Sequence, residues 1–232
     1  MKIDQSLLAF FYPNKCMLCQ KLLHVDDDLY VCSKCREKIT AEVIPYKNLY
    51  TKEGEYPIQI TTLFPYESEY RKAILRWKYQ GIRKYAKGFA RLLVEETDFS
   101  VYDEAVLIPI PLAISRKRKR GYNQALDLAV ELSKLTNIPV CDCLVRHKDT
   151  KPQSKCTKGE REKNIKNTMR IRKACELTPK NILIVDDIYT TGSTIKEAIR
   201  VIKQEFLFRK AKIYVIVVGK GELFTGGIED GC

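Results

Sequence analysis

What this chain lacks narrows it first. No apolar stretch approaches the roughly 18–20 residues that cross a bilayer, so no membrane span is expected. The opening MKIDQSLLAFFYPNKC has a short apolar patch, but Asp4 precedes it and no small-residue cleavage site follows. It reads as a short amphipathic helix rather than a signal peptide. Without a secretion signal, a disulfide framework for the nine cysteines is not expected, and a reducing, cytoplasmic location is. No internal repeat is visible, and no GxxxxGK[ST] is present, which excludes a Walker A loop. Acidic residues are few beside basic ones, 29 against 41, a net charge of +12. That excess favours polyanionic partners, either nucleic acid or phosphate-rich small molecules, with a plain solvated surface as the alternative. It says nothing about fold.

The 232 residues suffice for one α/β domain and a small appendage. The appendage is CMLCQKLLHVDDDLYVCSKC. Cys16 and Cys19 form one CxxC pair, Cys32 and Cys35 another, with twelve residues between them. Each pair can make a tight knuckle that aims two thiolates at one point. Two knuckles complete a tetrahedral sulfur shell, which suits Zn2+. So short a segment buries little core, and the metal would supply its folding energy. Four thiolates leave no open position, so the zinc is structural. His24, between the pairs, reads as a surface residue, with replacement of one thiolate ligand as the alternative.

Residues 42–62 read as a connector, with Pro45, Gly54 and Pro57 and little periodicity. Then YRKAILRWKYQGIRKYAKGFARLLVEE places Ile74, Leu75, Trp77, Ala86, Phe89, Leu92 and Leu93 at helical spacing, with Gly81 dividing two helices. Trp77, the only tryptophan, is read as core, with base stacking the alternative. EAVLIPIPL predicts a buried strand over 105–110, and NQALDLAVELSKL a helix with Leu126, Ala129, Val130 and Leu132 inward. CDCLVRH can be another strand, in which Cys141 and Cys143 alternate with Asp142. NILIV and AKIYVIVVG are continuous apolar runs suited to central parallel strands. Strands alternating with helices imply a doubly wound α/β sheet, a central parallel sheet flanked by helices. The domain plan is therefore an N-terminal helix and four-cysteine zinc unit at 1–44, a linker at 45–62, the α/β domain at 63–219 and a Gly-rich tail at 220–232.

The chemistry concentrates in NILIVDDIYTTGSTIKEA. In an open α/β sheet, ligands bind beyond the carboxyl ends of the strands. Asp186 and Asp187 sit at such an end. Thr190, Thr191, Gly192, Ser193 and Thr194 then turn the chain into the next helix. Such a turn can form an anion nest of backbone N–H groups, reinforced by the helix N-terminus and by hydroxyl donors. Gly192 permits positive φ or close backbone approach. The carboxylates are acceptors, suited to sugar hydroxyls or hydrated Mg2+. Phosphate donors beside two acidic acceptors describe a site for a pentose phosphate.

The stretch ILIVDDIYTTGST, Ile182 to Thr194, resembles the phosphoribosyl diphosphate (PRPP) motif of type I phosphoribosyltransferases. By that resemblance Asp186 and Asp187 hold the ribose 2′- and 3′-hydroxyls, and Thr190 to Thr194 wrap the 5′-phosphate. The double CxxC, then IPIPLAISRKRKRGYNQA, then LVRHKDTKPQSKCTKGEREKNIKNTM, then the PRPP motif, is similar to the ComF/ComFC family over about residues 7–219. The family pattern RG[FY]NQ is matched by Arg120 to Gln124, and KDTKPQS by Lys148 to Ser154. The added tail from Lys220 departs from it. The resemblance implies a type I phosphoribosyltransferase fold, PRPP with Mg2+ as ligands, and a role in DNA uptake during natural transformation with other DNA-processing proteins.

Phosphoribosyl transfer develops negative charge on the leaving diphosphate, so cations are needed there. SRKRKRG places five consecutive basic residues, Arg116 to Arg120, in a loop after a strand end, with Gly121 as hinge. Arg118, Arg120 and, in KDTKPQS, Lys151 are the diphosphate candidates. No residue stands out as a general base, which leaves the acceptor unidentified. Two other functions fit the same features: a non-catalytic PRPP or nucleotide sensor, and a single-stranded DNA binder.

Overall fold

The computed structural model describes residues 14–23, 30–51, 54–148, 165–172 and 178–221. Its elements are α1 (Ser33–Arg36), β1 (Glu42–Thr51), β2 (Gly54–Pro65), α2 (Ser68–Tyr79), α3 (Tyr85–Glu96), β3 (Ala105–Pro109), α4 (Ile114–Arg120), α5 (Gln124–Thr136), β4 (Leu144–Arg146), β5 (Met169–Ile171), β6 (Asn181–Tyr189), α6 (Ser193–Gln204) and β7 (Lys212–Lys220). Short 3-10 turns follow α3 and α6.

Five strands form the central sheet in the order β1-β2-β7-β6-β3. Four are parallel; β1 runs antiparallel to β2 at one edge. The Val/Ile-rich runs occupy the middle, as expected of strands covered on both faces. Alternation along each strand then divides the core. Leu107, Leu183, Val185, Ile216 and Val218 pack with α2, α3 and α5. Val106, Ile108, Ile182, Ile184, Val215 and Val217 pack with α6 and with the small β4–β5 hairpin. Cys141 and Cys143 are buried in this second cluster while Asp142 is exposed, so the CxC is alternation in an extended segment.

Two readings of the sequence need correction here. Residues 42–62 are not a connector; they form the β1–β2 hairpin. The prolines misled because they sit where a ladder tolerates them. Pro45 lies on the edge strand at a register shift between Ile44 and Lys47. Pro57 precedes Ile58, where pairing with β7 begins. On α5 the inward face is Ala125, Leu128, Ala129 and Leu132, whereas Val130 is exposed and Leu126 is half-buried. Elsewhere the pattern holds. Gly81, at φ 70°, separates α2 from α3. Trp77 is fully buried against Phe89, ring centroids 5.2 Å apart, which makes it core.

The cysteine segment is docked into the same core. Cys16, Met17, Leu18, Val31 and Ile39 are buried in one cluster with Trp77 and Phe89. Arg76 of α2 donates to the carbonyls of Met17 (2.7 Å) and Leu18 (3.0 Å). Gln20 donates to the Tyr85 hydroxyl at 3.1 Å, and Arg36 pairs with Glu95 and Glu96. Gly88 of α3 allows this approach: a Cβ there would lie 2.9 Å from Met17 Sδ. Among the described residues no helix is long and apolar enough to cross a membrane. The expected N-terminal helix, His24 and nearly all of the 220–232 tail lie outside the described residues.

Candidate functional site

The four N-terminal cysteines converge. Their sulfur atoms all lie within 4.8 Å of one another, with Cys19 Sγ 3.7 Å from Cys32 Sγ. A tetrahedron with Zn–S bonds of about 2.3 Å has sulfur–sulfur edges of about 3.8 Å, so the cluster is the right size for zinc. The chemistry agrees. Burial and the neighbouring thiols push Cys35 up, and burial pushes Cys16 up. On Cys19 burial is outweighed by the Lys21 amide and the surrounding thiols, and it sits near 7. Four thiols this close cannot all ionise without a cation between them. Cys16, Cys19, Cys32 and Cys35 could therefore hold a metal ion with no position left open.

The second site lies at the carboxyl ends of the sheet strands. β6 runs without interruption through Asp186 and Asp187 to Tyr189, lifting both acids beyond the apolar part of the sheet. The chain then turns through Thr190 and Thr191 to Gly192, whose φ is 72°. Gly192 is required twice over. A side chain would be strained at that φ, and its Cβ would fall on the Tyr189 hydroxyl. Helix α6 starts at once. The Lys196 N–H donates to Gly192 O at 2.8 Å, closing the first turn, and the mouth of the helix opens at Gly192 and Ser193. Thr191 Oγ1 and Ser193 Oγ are 3.0 Å apart.

A cleft of about 370 Å3 opens over this turn. Asp186, Asp187, Thr190, Gly192, Ser193 and Thr194 all line it. Five cations line it too: Arg71, Lys78, Arg116, Arg120 and Arg146. Five positive groups against two negative ones make a surface for a polyanion. Asp187 is paired with Lys78 Nζ at 2.9 Å, both side chains largely buried. Asp186 accepts the Asp187 amide at 2.8 Å. Burial and the adjacent Asp187 charge push Asp186 up to about 7, against smaller downward pulls from Lys78 and Arg146. A carboxylate held this high is one that a ligand donor or a cation would relieve.

The basic run is a helix, α4, rather than a loop, and Gly121 (φ 78°) is its C-cap rather than a hinge. That changes which arginines matter. Positions i and i+4 share a helix face. Arg116 and Arg120 therefore both reach the cleft, while Arg118, two residues from each, turns to a neighbouring cavity. Of the two arginines singled out in the sequence, Arg120 lines the cleft and Arg118 does not; Arg116 lines it as well. Lys151 lies outside the described residues. The RGYNQ segment becomes a joint. Tyr122 donates its hydroxyl to Trp77 O. Asn123 caps α5 by accepting from Ala125 N–H (3.2 Å) and donates to Ile110 O (3.0 Å). Gln124 accepts from Arg120 at 3.1 Å, and Arg120 also reaches the Tyr79 hydroxyl at 2.9 Å. The segment thus fixes the position of Arg120 over the cleft.

Sequence reasoning missed Lys78, Arg71 and Arg146. Lys78 and Arg71 are polar positions of α2, and nothing in a helical pattern says which polar residue meets a distant strand. Arg146 is buried on β4, and its flanking His147 and Lys148 make it look like one more surface charge in the sequence.

Comparison with known proteins agrees with this geometry. Residues 101–222 match the phosphoribosyl transferase domain, and the chain belongs to that family. Over a longer span it is 28% identical to Competence protein F of Haemophilus influenzae, covering 84% of this chain and 93% of that one. It is 27% identical to Competence protein ComFC of Streptococcus pneumoniae, covering 82% and 94%. It is 25% identical to the DNA utilization protein YhgH of Escherichia coli strain K12, covering 82% and 84%. These relatives bear out the ComF/ComFC resemblance read from the motifs.

Proposed function

We propose that the cleft binds PRPP and that the protein transfers its phosphoribosyl group to an acceptor in the handling of incoming DNA. The observation that carries this reading is the joining of three features in one cleft. An acidic pair at a strand end, a hydroxyl-lined turn at a helix N-terminus, and flanking arginines match hydroxyls, 5′-phosphate and diphosphate respectively. Asp186 and Asp187 accept the ribose hydroxyls. Thr190, Thr191, Gly192, Ser193 and Thr194 surround the 5′-phosphate. Arg116 and Arg120 meet the diphosphate. Asp186 and Asp187 also fit Mg2+, since both offer hard oxygen donors and Asp186 carries a repulsion that a cation relieves. Bound with PRPP, Mg2+ neutralises charge on the diphosphate.

In the transfer, a lone pair of the acceptor forms a bond to ribose C1. The bond from C1 to the diphosphate oxygen breaks, its electrons leave with the diphosphate, and the acceptor's proton passes to water. The arginines act where negative charge grows, which lowers the barrier more than it tightens ground-state binding. The role in DNA uptake rests on the names of the competence relatives. The test is diphosphate release from Mg-PRPP in a screen of base, amine and nucleotide acceptors. Acceptor-dependent release supports the transferase. Tight PRPP binding with no release under any acceptor would make the protein a PRPP sensor instead.

A further inference from the structure

The basic helix α4 carries more charge than the PRPP cleft uses. Arg116 and Arg120 face the carboxylates, but Lys117 and Arg118 line a second, larger cavity of about 690 Å3 on the other side of the helix. Arg172, directly after β5, lines that cavity from the hairpin. No ion pair joins Lys117, Arg118 or Arg172 to a carboxylate among the described residues. The rest of the lining differs in kind. Arg83 is already neutralised by Asp127 through two bonds of 2.8 and 2.6 Å, and its guanidinium lies 5.5 Å over the Tyr122 ring. Leu126, Leu144 and the 40% exposed Ile114 supply apolar wall. Asp127 and Asp142 supply acceptors. Among the described residues the cavity therefore offers cations outside any ion pair, beside an apolar wall and two carboxylates. The two cavities share Pro111, Leu112, Asn123 and Arg146, so ligands in them would be neighbours.

We propose that this second cavity binds a mononucleotide-class ligand, a heterocycle carrying a phosphate, as the acceptor beside the PRPP cleft. The assignment as acceptor rests on the PRPP reading of the first cleft. A free base would bring no charge to Lys117, Arg118 and Arg172, whereas a phosphate matches them, and the apolar wall with its acceptors suits the ring and its amino groups. The size falls within the range of small-ligand sites. The transfer balances as written above, with a ring or exocyclic nitrogen of the nucleotide as the nucleophile.

The test titrates adenosine 5′-monophosphate, adenosine and Mg-PRPP into the full chain, its R118E/R172E and R118Q/R172Q variants, and R116Q. Both Arg118 and Arg172 are exposed, so their replacement leaves the core untouched. The monophosphate should bind saturably and at least about tenfold more tightly than adenosine, equivalent to about 1.4 kcal/mol. R118E/R172E should weaken it by at least about tenfold, with a smaller loss for R118Q/R172Q, while PRPP binding stays within about twofold. R116Q should do the reverse. The proposal is overturned if the monophosphate does not bind a chain that binds PRPP, if adenosine binds equally well, or if the charge reversal costs both ligands alike. Affinity seen only with oligonucleotides and growing with their length also overturns it, in favour of a strand-binding track. If the monophosphate binds at Arg118 and Arg172 but PRPP does not bind at all, the donor reading fails and the nucleotide site stands.

Discussion

Asp186→Asn should make the ligand-free protein more stable, and only where Asp186 would otherwise ionise. The side chain accepts the Asp187 amide at 2.8 Å, and an asparagine oxygen can accept the same bond. The Lys78–Asp187 pair does not involve it. What the substitution removes is the cost of charging a partly buried acid beside a second acid. That cost holds Asp186 near 7 rather than at its ordinary 3.8. Below about pH 4 the acid is neutral in folded and unfolded chains, and the variant should match the wild type. Between pH 4 and 7 the unfolded chain releases the proton while the folded chain keeps it, so the wild type loses stability as pH rises. Above 7 the difference is complete. Three pH units at 1.36 kcal/mol each give about 4 kcal/mol as the upper bound. At 2–4 °C per kcal/mol for a chain of this size, that is roughly 8–16 °C in Tm. The assay is thermal unfolding of both proteins from pH 4 to 9 without PRPP. A variant less stable than wild type at pH 8, or a difference that does not change with pH, would refute the reasoning. The stabilised variant should be the poorer binder, as expected where a site keeps strain for function.

Elemental analysis of the purified protein should return one zinc per chain. Removing it with a chelator should lower Tm by roughly 5 °C or more, because the cysteine segment shares the main core; metal-free protein that unfolds unchanged would remove zinc from the account. Gly192→Ala should cost about 1–3 kcal/mol in denaturant unfolding, since alanine is strained at φ 72° and its Cβ meets Tyr189. An unchanged midpoint would show that the turn relaxes freely. R116Q should weaken PRPP by about tenfold or more in calorimetry while R118Q leaves it unchanged; equal losses would mean that the division of α4 between two cavities is wrong.

What could be read from the sequence was whatever rests on local order. The Val/Ile runs announced β6 and β7 because strands covered on both faces need no polar alternation. The turn after β6 was legible because acids, glycine and hydroxyls follow one another within one strand–turn–helix unit. The cysteine spacing was legible because each knuckle is a local turn. Three kinds of information were not. The β1–β2 hairpin hid behind prolines that only sheet topology explains, since Pro45 sits at a register shift on the edge strand and Pro57 lies just before pairing with β7 begins. The choice of Arg116 over Arg118 depends on whether the basic run coils, and a run of like charges offers no periodicity from which to judge. Lys78 meets Asp187 across more than a hundred residues, and Arg146 joins the cleft from a separate two-stranded sheet. Such pairings are set by tertiary packing and leave no local mark.

The measurement closest to the central claim is calorimetric titration of Mg-PRPP into the wild type and the Asp186→Asn, Asp187→Asn double variant, with unfolding followed in parallel. The wild type should bind one PRPP per chain, and the folded double variant should show no measurable binding. Unchanged PRPP affinity in a folded double variant, or no binding by the wild type, would contradict the assignment of this strand end as the PRPP site.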